Sequence, residues 1–130
     1  NAIPSVVYTN PEIACVGLTE KDLNEIHEGD FAPSMSTDEP FVPYEVHQLP
    51  MTYSGRFVAE NEGEMGLCKV IVDKRSKTVM GVHMIGNPCS EFVAAASFAV
   101  RMGYTVGEFK QVVFPHPTVA EVLRETIMEA

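Results

Sequence analysis

The sequence predicts an α+β fold, in which an antiparallel sheet of about five strands carries helices on one face. Segments rich in β-branched and apolar residues dominate the first two thirds of the chain, and segments with helix-capping residues dominate the last third. Strands that precede the helices, rather than alternating with them, favour an antiparallel sheet. At 130 residues the chain fits one domain, 1–130, in which Asn1-Ala2 could derive from cloning.

The first part of the chain is predicted to be extended over residues 3–18, with a turn at Asn10-Pro11. Thr19 as N-cap and Asp22 three residues later predict a short helix, which Gly29 ends. Residues 30–40 are rich in Pro, Ser and acidic residues, and we expect a surface loop there. Further strands are predicted at 42–49, 55–60, 67–72 and 78–85, the last two forming a hairpin around a turn at 73–76.

The last third of the chain is predicted to be helical. Residues 90–102 are Ala-rich and apolar around most of the helix, which indicates burial in the core or against a partner, and Gly103 ends the helix. Thr105 and Glu108 form a capping box that begins a short helix. Thr118 and Glu121 form a second capping box, which predicts a terminal helix to about residue 129.

Composition excludes several classes of function. The net charge of −9, from 18 acidic and 9 basic residues, argues against a nucleic-acid partner, because phosphate binding needs clustered Lys and Arg. The longest apolar stretch, about 92–100, is too short to span a membrane. The three cysteines are widely spaced, which favours a reducing compartment, and we expect a cytoplasmic protein. These cysteines are Cys15, Cys68 and Cys89.

The sequence has no glycine-rich phosphate loop, no Cys-x-x-Cys and no metal-spaced histidine pair, so we expect no cofactor-binding or metal-binding residues in this chain. One segment carries chemical content: His116 stands between Pro115 and Pro117, which restrict its backbone. The His116–Pro117 bond is a candidate for the cis form. Glu121 could hold one ring nitrogen and leave the other to move a proton, as in catalytic triads. The alternative is an ordinary loop histidine beside a helix cap.

At this segment the chain resembles the C-terminal dimerisation domain of the pyridine nucleotide–disulfide oxidoreductases. The family signature of His-Pro-Thr followed by Glu matches His116-Pro117-Thr118 and Glu121. Residues 4–14 and 16–20 resemble the opening of this domain in dihydrolipoamide dehydrogenases, and residues 81–86 and 90–91 resemble its later strand and helix start. Phe114 and Pro115 depart from the usual His-Ala before the signature, and 30–39 looks longer than usual, so a glutathione-type or mercuric-type reductase stays open.

The resemblance implies a homodimeric enzyme that oxidises dihydrolipoamide with NAD⁺ and holds FAD, NAD and a redox-active cysteine pair in other domains. His116 would be the acid–base catalyst for the partner subunit's active site, and Glu121 would orient it. The domain alone is expected to bind no cofactor and to be inactive. A 2-oxo acid dehydrogenase complex is a further implied partner. The alternative from another class is a free-standing interaction module without chemistry.

Overall fold

One antiparallel sheet organises the part of the chain that the structure describes. The structure is a computed structural model, and it describes residues 2–27 and 42–130. The strands are β1 Ser5–Val7, β2 Ile13–Gly17, β3 Tyr44–Pro50, β4 Leu67–Asp73 and β5 Val79–Ile85. They lie in the order β1-β2-β5-β4-β3, and each neighbouring pair is antiparallel. The predicted α+β class with about five antiparallel strands is therefore confirmed.

Four of the five described helices lie close to their predicted positions, and capping residues explain where two of them begin. They are α1 Glu20–His27, α2 Gly55–Glu60, α3 Cys89–Arg101, α4 Val106–Phe109 and α5 Glu121–Met128, with a 3₁₀ turn at Met51–Tyr53. Thr19 and Asp22 exchange hydrogen bonds at the start of α1, 2.9 and 3.0 Å long. Thr105 and Glu108 form the predicted capping box of α4. Gly29 and the predicted loop at 30–40 lie outside the described residues.

The prediction of a strand at 55–60 is wrong, because these residues form α2. The side chain of Ser54 accepts a hydrogen bond from the backbone N–H of Phe57, so the first turn of the helix is capped. Phe57 is fully buried, whereas its neighbour Val58 is half exposed. A helix turns Phe57 into the core in this short segment, and that burial outweighs the preference of Phe and Val for strands.

The prediction that Thr118 caps the terminal helix is also wrong in part. Helix α5 begins at Glu121, preceded by a turn in which the N–H groups of Val122 and Leu123 donate to the carbonyls of Val119 and Ala120. The Thr118 hydroxyl donates to the carbonyl of Pro115 instead of capping the helix, whereas the other half of the predicted capping box is present, since the N–H of Thr118 donates to Oε1 of Glu121.

The core lies between the sheet and two helices, α3 and α5. It contains the inward residues of β4 and β5, such as Val70 and Val82, and the buried face of α3, such as Ala96. The outer face of helix α3 is exposed in the single chain, with Phe98 67% exposed, so the burial of that face against a partner stays a prediction. The prediction of helices on one face does not hold for α1, which lies on the opposite face of the sheet, where Glu20 pairs with Lys69 at 3.1 Å.

Two segments that are distant in sequence share one end of this core. Met51 and Phe57, from the 3₁₀ turn and α2, are buried in the same cluster as Leu123 and Ile127 of α5. A hydrogen bond from Ser54 to Thr118 brings the start of α2 close to the segment that contains His116 and leads into α5. Across the described residues, no helix is both long enough and apolar enough to cross a membrane.

A candidate histidine–carboxylate site

The site is built on the stiff segment that precedes α5. The His116–Pro117 peptide bond is cis, as the sequence suggested. The side chain of His116 is 80% exposed, whereas that of Glu121 is only 24% exposed. The imidazole therefore projects outward from the described part of the chain, and the carboxylate lies on its inner, less exposed side.

The predicted contact between the ring and the carboxylate is present. Nδ1 of His116 lies 2.9 Å from Oε1 and 2.9 Å from Oε2 of Glu121. An ionised carboxylate can only accept hydrogen bonds, so Nδ1 must carry the hydrogen and donate it. In the neutral ring this leaves Nε2 as the acceptor, pointing away from the carboxylate. The pair can thus take up a proton at Nε2.

The carboxylate of Glu121 is itself held by the backbone. Oε1 accepts a hydrogen bond from the N–H of Thr118 at 2.7 Å. Burial acts to raise the pKa of Glu121, but the bonds from Thr118 and His116 and the charge of Arg124 outweigh it, so this pKa lies below its ordinary value. Glu121 is therefore charged at neutral pH, and its place in the first turn of α5 favours that negative charge.

Three further side chains anchor the segment around His116, and sequence reasoning missed all three. Ser54 Oγ donates to the carbonyl of Thr118 at 3.0 Å. Arg124 donates from Nε to Val112 at 2.9 Å and from Nη2 to Lys110 at 3.0 Å, in both cases to the backbone carbonyl. Arg56 Nη1 lies 3.5 Å from the carbonyl of Pro117. The serine was detectable as an N-cap; no sequence pattern indicates the arginine contacts.

A cleft of about 490 Å³ opens beside the imidazole, between α2 and α5. Its walls are partly apolar and partly charged, and they include Tyr53, Arg56, Ala59, His116, Val122 and Glu125. A small organic group could therefore approach the ring from this side.

His83, Cys68 and Cys89 lie away from this site, and their surroundings indicate a structural role. Nε2 of His83 lies 2.9 Å from the carbonyl of Leu18. Cys68 and Cys89 are buried, and desolvation raises their pKa values to about 12 and about 11. Both are thus thiols, not thiolates, at neutral pH. Within residues 2–27 and 42–130, no three His, Cys, Asp or Glu side chains converge as a metal site would require.

Comparison with known sequences connects this geometry to a family. The family model described as "Pyridine nucleotide-disulphide oxidoreductase, dimerisation domain" matches residues 3–127. The mitochondrial dihydrolipoyl dehydrogenase of Caenorhabditis elegans is 35% identical over 130 residues, which are all of this chain and 23% of that protein. Dihydrolipoyl dehydrogenase of Haloferax volcanii is 34% identical over 129 residues, or 99% of this chain and 24% of the relative. The chain therefore spans about a quarter of these relatives.

Solved structures share the fold at lower sequence identity. LpdA from Mycobacterium tuberculosis superposes with a TM-score of 0.78 at 22% identity, covering 98% of this chain and 25% of that one. The HOCl-induced flavoprotein disulfide reductase RclA from Escherichia coli gives a TM-score of 0.77 at 21% identity, covering 97% of this chain and 26% of that one. Both comparisons support the α+β architecture described above.

Proposed function

The chain belongs to the dimerisation-domain family of the pyridine nucleotide–disulphide oxidoreductases, and from this premise we propose that His116 and Glu121 are its acid–base pair. The observation that carries the proposal is the pair of 2.9 Å contacts that orient the imidazole while leaving its outer nitrogen free. A thiol oxidation needs such a group, because a thiol with a pKa of about 8.5 is mostly protonated at neutral pH and only its thiolate is a good nucleophile.

In the proposed step, Nε2 of His116 accepts the proton of a substrate thiol. The resulting thiolate attacks a disulfide that lies outside this chain, so one sulfur–sulfur bond forms as another breaks. Glu121 stabilises the imidazolium and keeps Nδ1 protonated throughout. The exposure of the ring supports this proposal, since a base buried in its own domain could not reach a sulfur centre elsewhere.

We propose that the whole protein is a homodimer that oxidises dihydrolipoamide, with His116 serving the partner subunit's active site. FAD and NAD would carry the electrons from the dithiol. The described strands pair only antiparallel, unlike the parallel βαβ unit that binds dinucleotides, which supports placing both cofactor-binding sites in other domains. In this proposal both cofactors are held by other domains. We further propose that the protein is cytoplasmic and that its partner is a 2-oxo acid dehydrogenase complex. The free thiols of the described residues support a reducing compartment.

The test is His116→Gln in the full-length protein. We expect turnover of dihydrolipoamide with NAD⁺ to fall by about 10²–10⁴, which is the usual contribution of a positioned acid–base group. Reduction of ferricyanide by NADH should be unchanged, because that electron transfer involves no thiol proton. His83→Gln is the matched control, since His83 contacts only the carbonyl of Leu18 among the hydrogen bonds described and a glutamine can replace it.

A loss below about threefold for His116→Gln would contradict the catalytic role. Glutathione disulfide is tested as an alternative substrate. If the enzyme turns it over in preference to dihydrolipoamide, His116 and Glu121 would be the acid–base pair of a glutathione-type reductase. A full-length protein without either thiol or ferricyanide activity would support the interaction module instead.

A further inference from the structure

Ser54 lies at the start of α2, more than sixty residues before the proposed acid–base pair. It is 7% exposed, one of few buried polar side chains among the described residues. Its backbone N–H donates to the carbonyl of Met51 at 3.0 Å, and its own carbonyl accepts from Val58 at 3.2 Å. Because Met51 and Phe57 on either side are fully buried, the position of Ser54 is set by the core.

The hydroxyl of Ser54 makes hydrogen bonds in two directions. It accepts from the N–H of Phe57 at 3.3 Å, as the cap of α2, and it donates to the carbonyl of Thr118 at 3.0 Å. A serine has one hydroxyl hydrogen, so this donor is fully used on Thr118. The second bond reaches into the segment that contains His116, which a simple helix cap does not require.

Thr118 connects that bond to the chemistry. Its N–H donates to Oε1 of Glu121 at 2.7 Å, and the same carboxylate oxygen lies 2.9 Å from Nδ1 of His116. Its hydroxyl donates to the carbonyl of Pro115 at 2.7 Å, on the other side of the histidine. A displacement of Thr118 would therefore move both the carboxylate contact and the backbone on either side of the ring.

We propose that Ser54 is a positioning residue for the His116–Glu121 pair, because its hydroxyl ties Thr118 to the buried start of α2. This inference rests on the proposed function above. Ser54 makes no described hydrogen bond to the imidazole or the carboxylate, so in this proposal it acts through Thr118. The nearby Arg56 makes a contact of 3.5 Å to Pro117 from an exposed side chain and is the weaker anchor.

The experiment uses Ser54→Ala and Ser54→Gly in the full-length protein. We expect kcat for dihydrolipoamide to fall about tenfold, because small displacements of reacting groups carry large kinetic costs, while KM changes less than about threefold. NADH–ferricyanide activity per bound flavin should stay at the wild-type level and shows that the variant is folded. Glycine is well tolerated as an N-cap, so Ser54→Gly retains α2 should the alanine variant be unstable.

Two controls separate positioning from helix capping. Thr19→Ala removes the equivalent cap of α1, which lies on the opposite face of the sheet from α5, and should leave the ratio of the two activities unchanged. Ser54→Thr keeps the hydroxyl and should restore kcat to within about threefold of wild type. A glycine variant that keeps wild-type kcat, or a folded threonine variant that does not recover it, would overturn the inference. His116→Gln in the same assay separates failure of this inference from failure of the proposed function. If His116→Gln keeps full activity, both the catalytic role of His116 and the positioning role of Ser54 are refuted.

Discussion

Replacing Glu121 with glutamine tests the proposed pair with the smallest change of shape. The amide oxygen can still accept from the N–H of Thr118, as Oε1 does now at 2.7 Å. The amide NH₂ then faces Nδ1 of His116, where a carboxylate oxygen stood at 2.9 Å. An NH₂ group donates, so it favours the tautomer in which Nδ1 accepts and the hydrogen is on Nε2, while the amide oxygen, in the place of Oε1 at 2.9 Å from Nδ1, is a weaker acceptor than the carboxylate. In the favoured tautomer the nitrogen that should take the thiol proton is already protonated.

The size of the effect follows from the bond that is lost. A hydrogen bond to a charged group contributes about 1.5–3 kcal/mol, which corresponds to roughly 10–150-fold in rate. Because the imidazole is 80% exposed, water competes for both of its nitrogens, and the lower part of this range is expected. We therefore predict a loss of about 10–50-fold in kcat for dihydrolipoamide in the Glu121→Gln variant.

The control is Glu125→Gln, one helical turn later on α5. Glu125 lines the same cleft but pairs with Arg124 at 3.5 Å instead of with the imidazole. It should keep wild-type kcat, so a general effect of charge near the cleft would appear in both variants. Equal losses in the two variants, or full activity of Glu121→Gln, would refute the orienting role of the carboxylate.

The same substitution has a pH signature in stability. The folded-state pKa of Glu121 lies below its ordinary value of 4.5, so its charged form stabilises the fold fully above about pH 4.5. That contribution declines as pH falls from there through the folded-state pKa. Urea unfolding should show wild type more stable than Glu121→Gln at pH 7, by about 1 kcal/mol, and a smaller difference at about pH 3. A difference that grows on acidification would contradict the sign of this pKa shift.

Two further predictions concern groups around the site and in the core. Arg124→Lys removes the planar fork that binds the carbonyls of Val112 and Lys110, and urea unfolding should show a loss of about 1–2 kcal/mol; an unchanged midpoint would deny that these bonds stabilise the loop. In the native protein, half-buried Cys15 should react with a maleimide faster than Cys68 and Cys89, whose pKa values are about 12 and about 11; equal native rates for all three thiols would contradict their burial.

Local sequence signals predicted most of the fold. The β4–β5 hairpin follows from β-branched strands around a turn in which Asp73 accepts hydrogen bonds from the N–H groups of Arg75 and Ser76. The caps at Thr19 and Thr105 are equally local, and both are confirmed. Helix α2 was missed because six residues give no helical period, and only the burial of Phe57 against distant parts of the chain decides its conformation.

In the site, too, the local contacts were predictable and the long-range contacts were not. The contact between His116 and Glu121 was predictable, because the two residues are five positions apart and a predicted helix begins between them. The bond from Ser54 to Thr118 spans 64 residues and depends on how α2 and α5 pack in the core. The Thr118 hydroxyl was assigned to the wrong partner for a related reason: the turn at Val119 and Ala120 supplies the helix with other acceptors, which the capping-box pattern does not anticipate.

The exposure of His116 explains why the residues around it matter. Because the imidazole is 80% exposed, water competes for its nitrogens, and the contact with Glu121 is only part of what holds the ring in one orientation. The backbone between Pro115 and Thr118 has to supply the rest. The bond from Ser54 holds that backbone at Thr118, and the bond from Arg124 to Val112 holds the chain that leads into it. Proton transfer at His116 should accordingly depend on side chains that never touch a substrate.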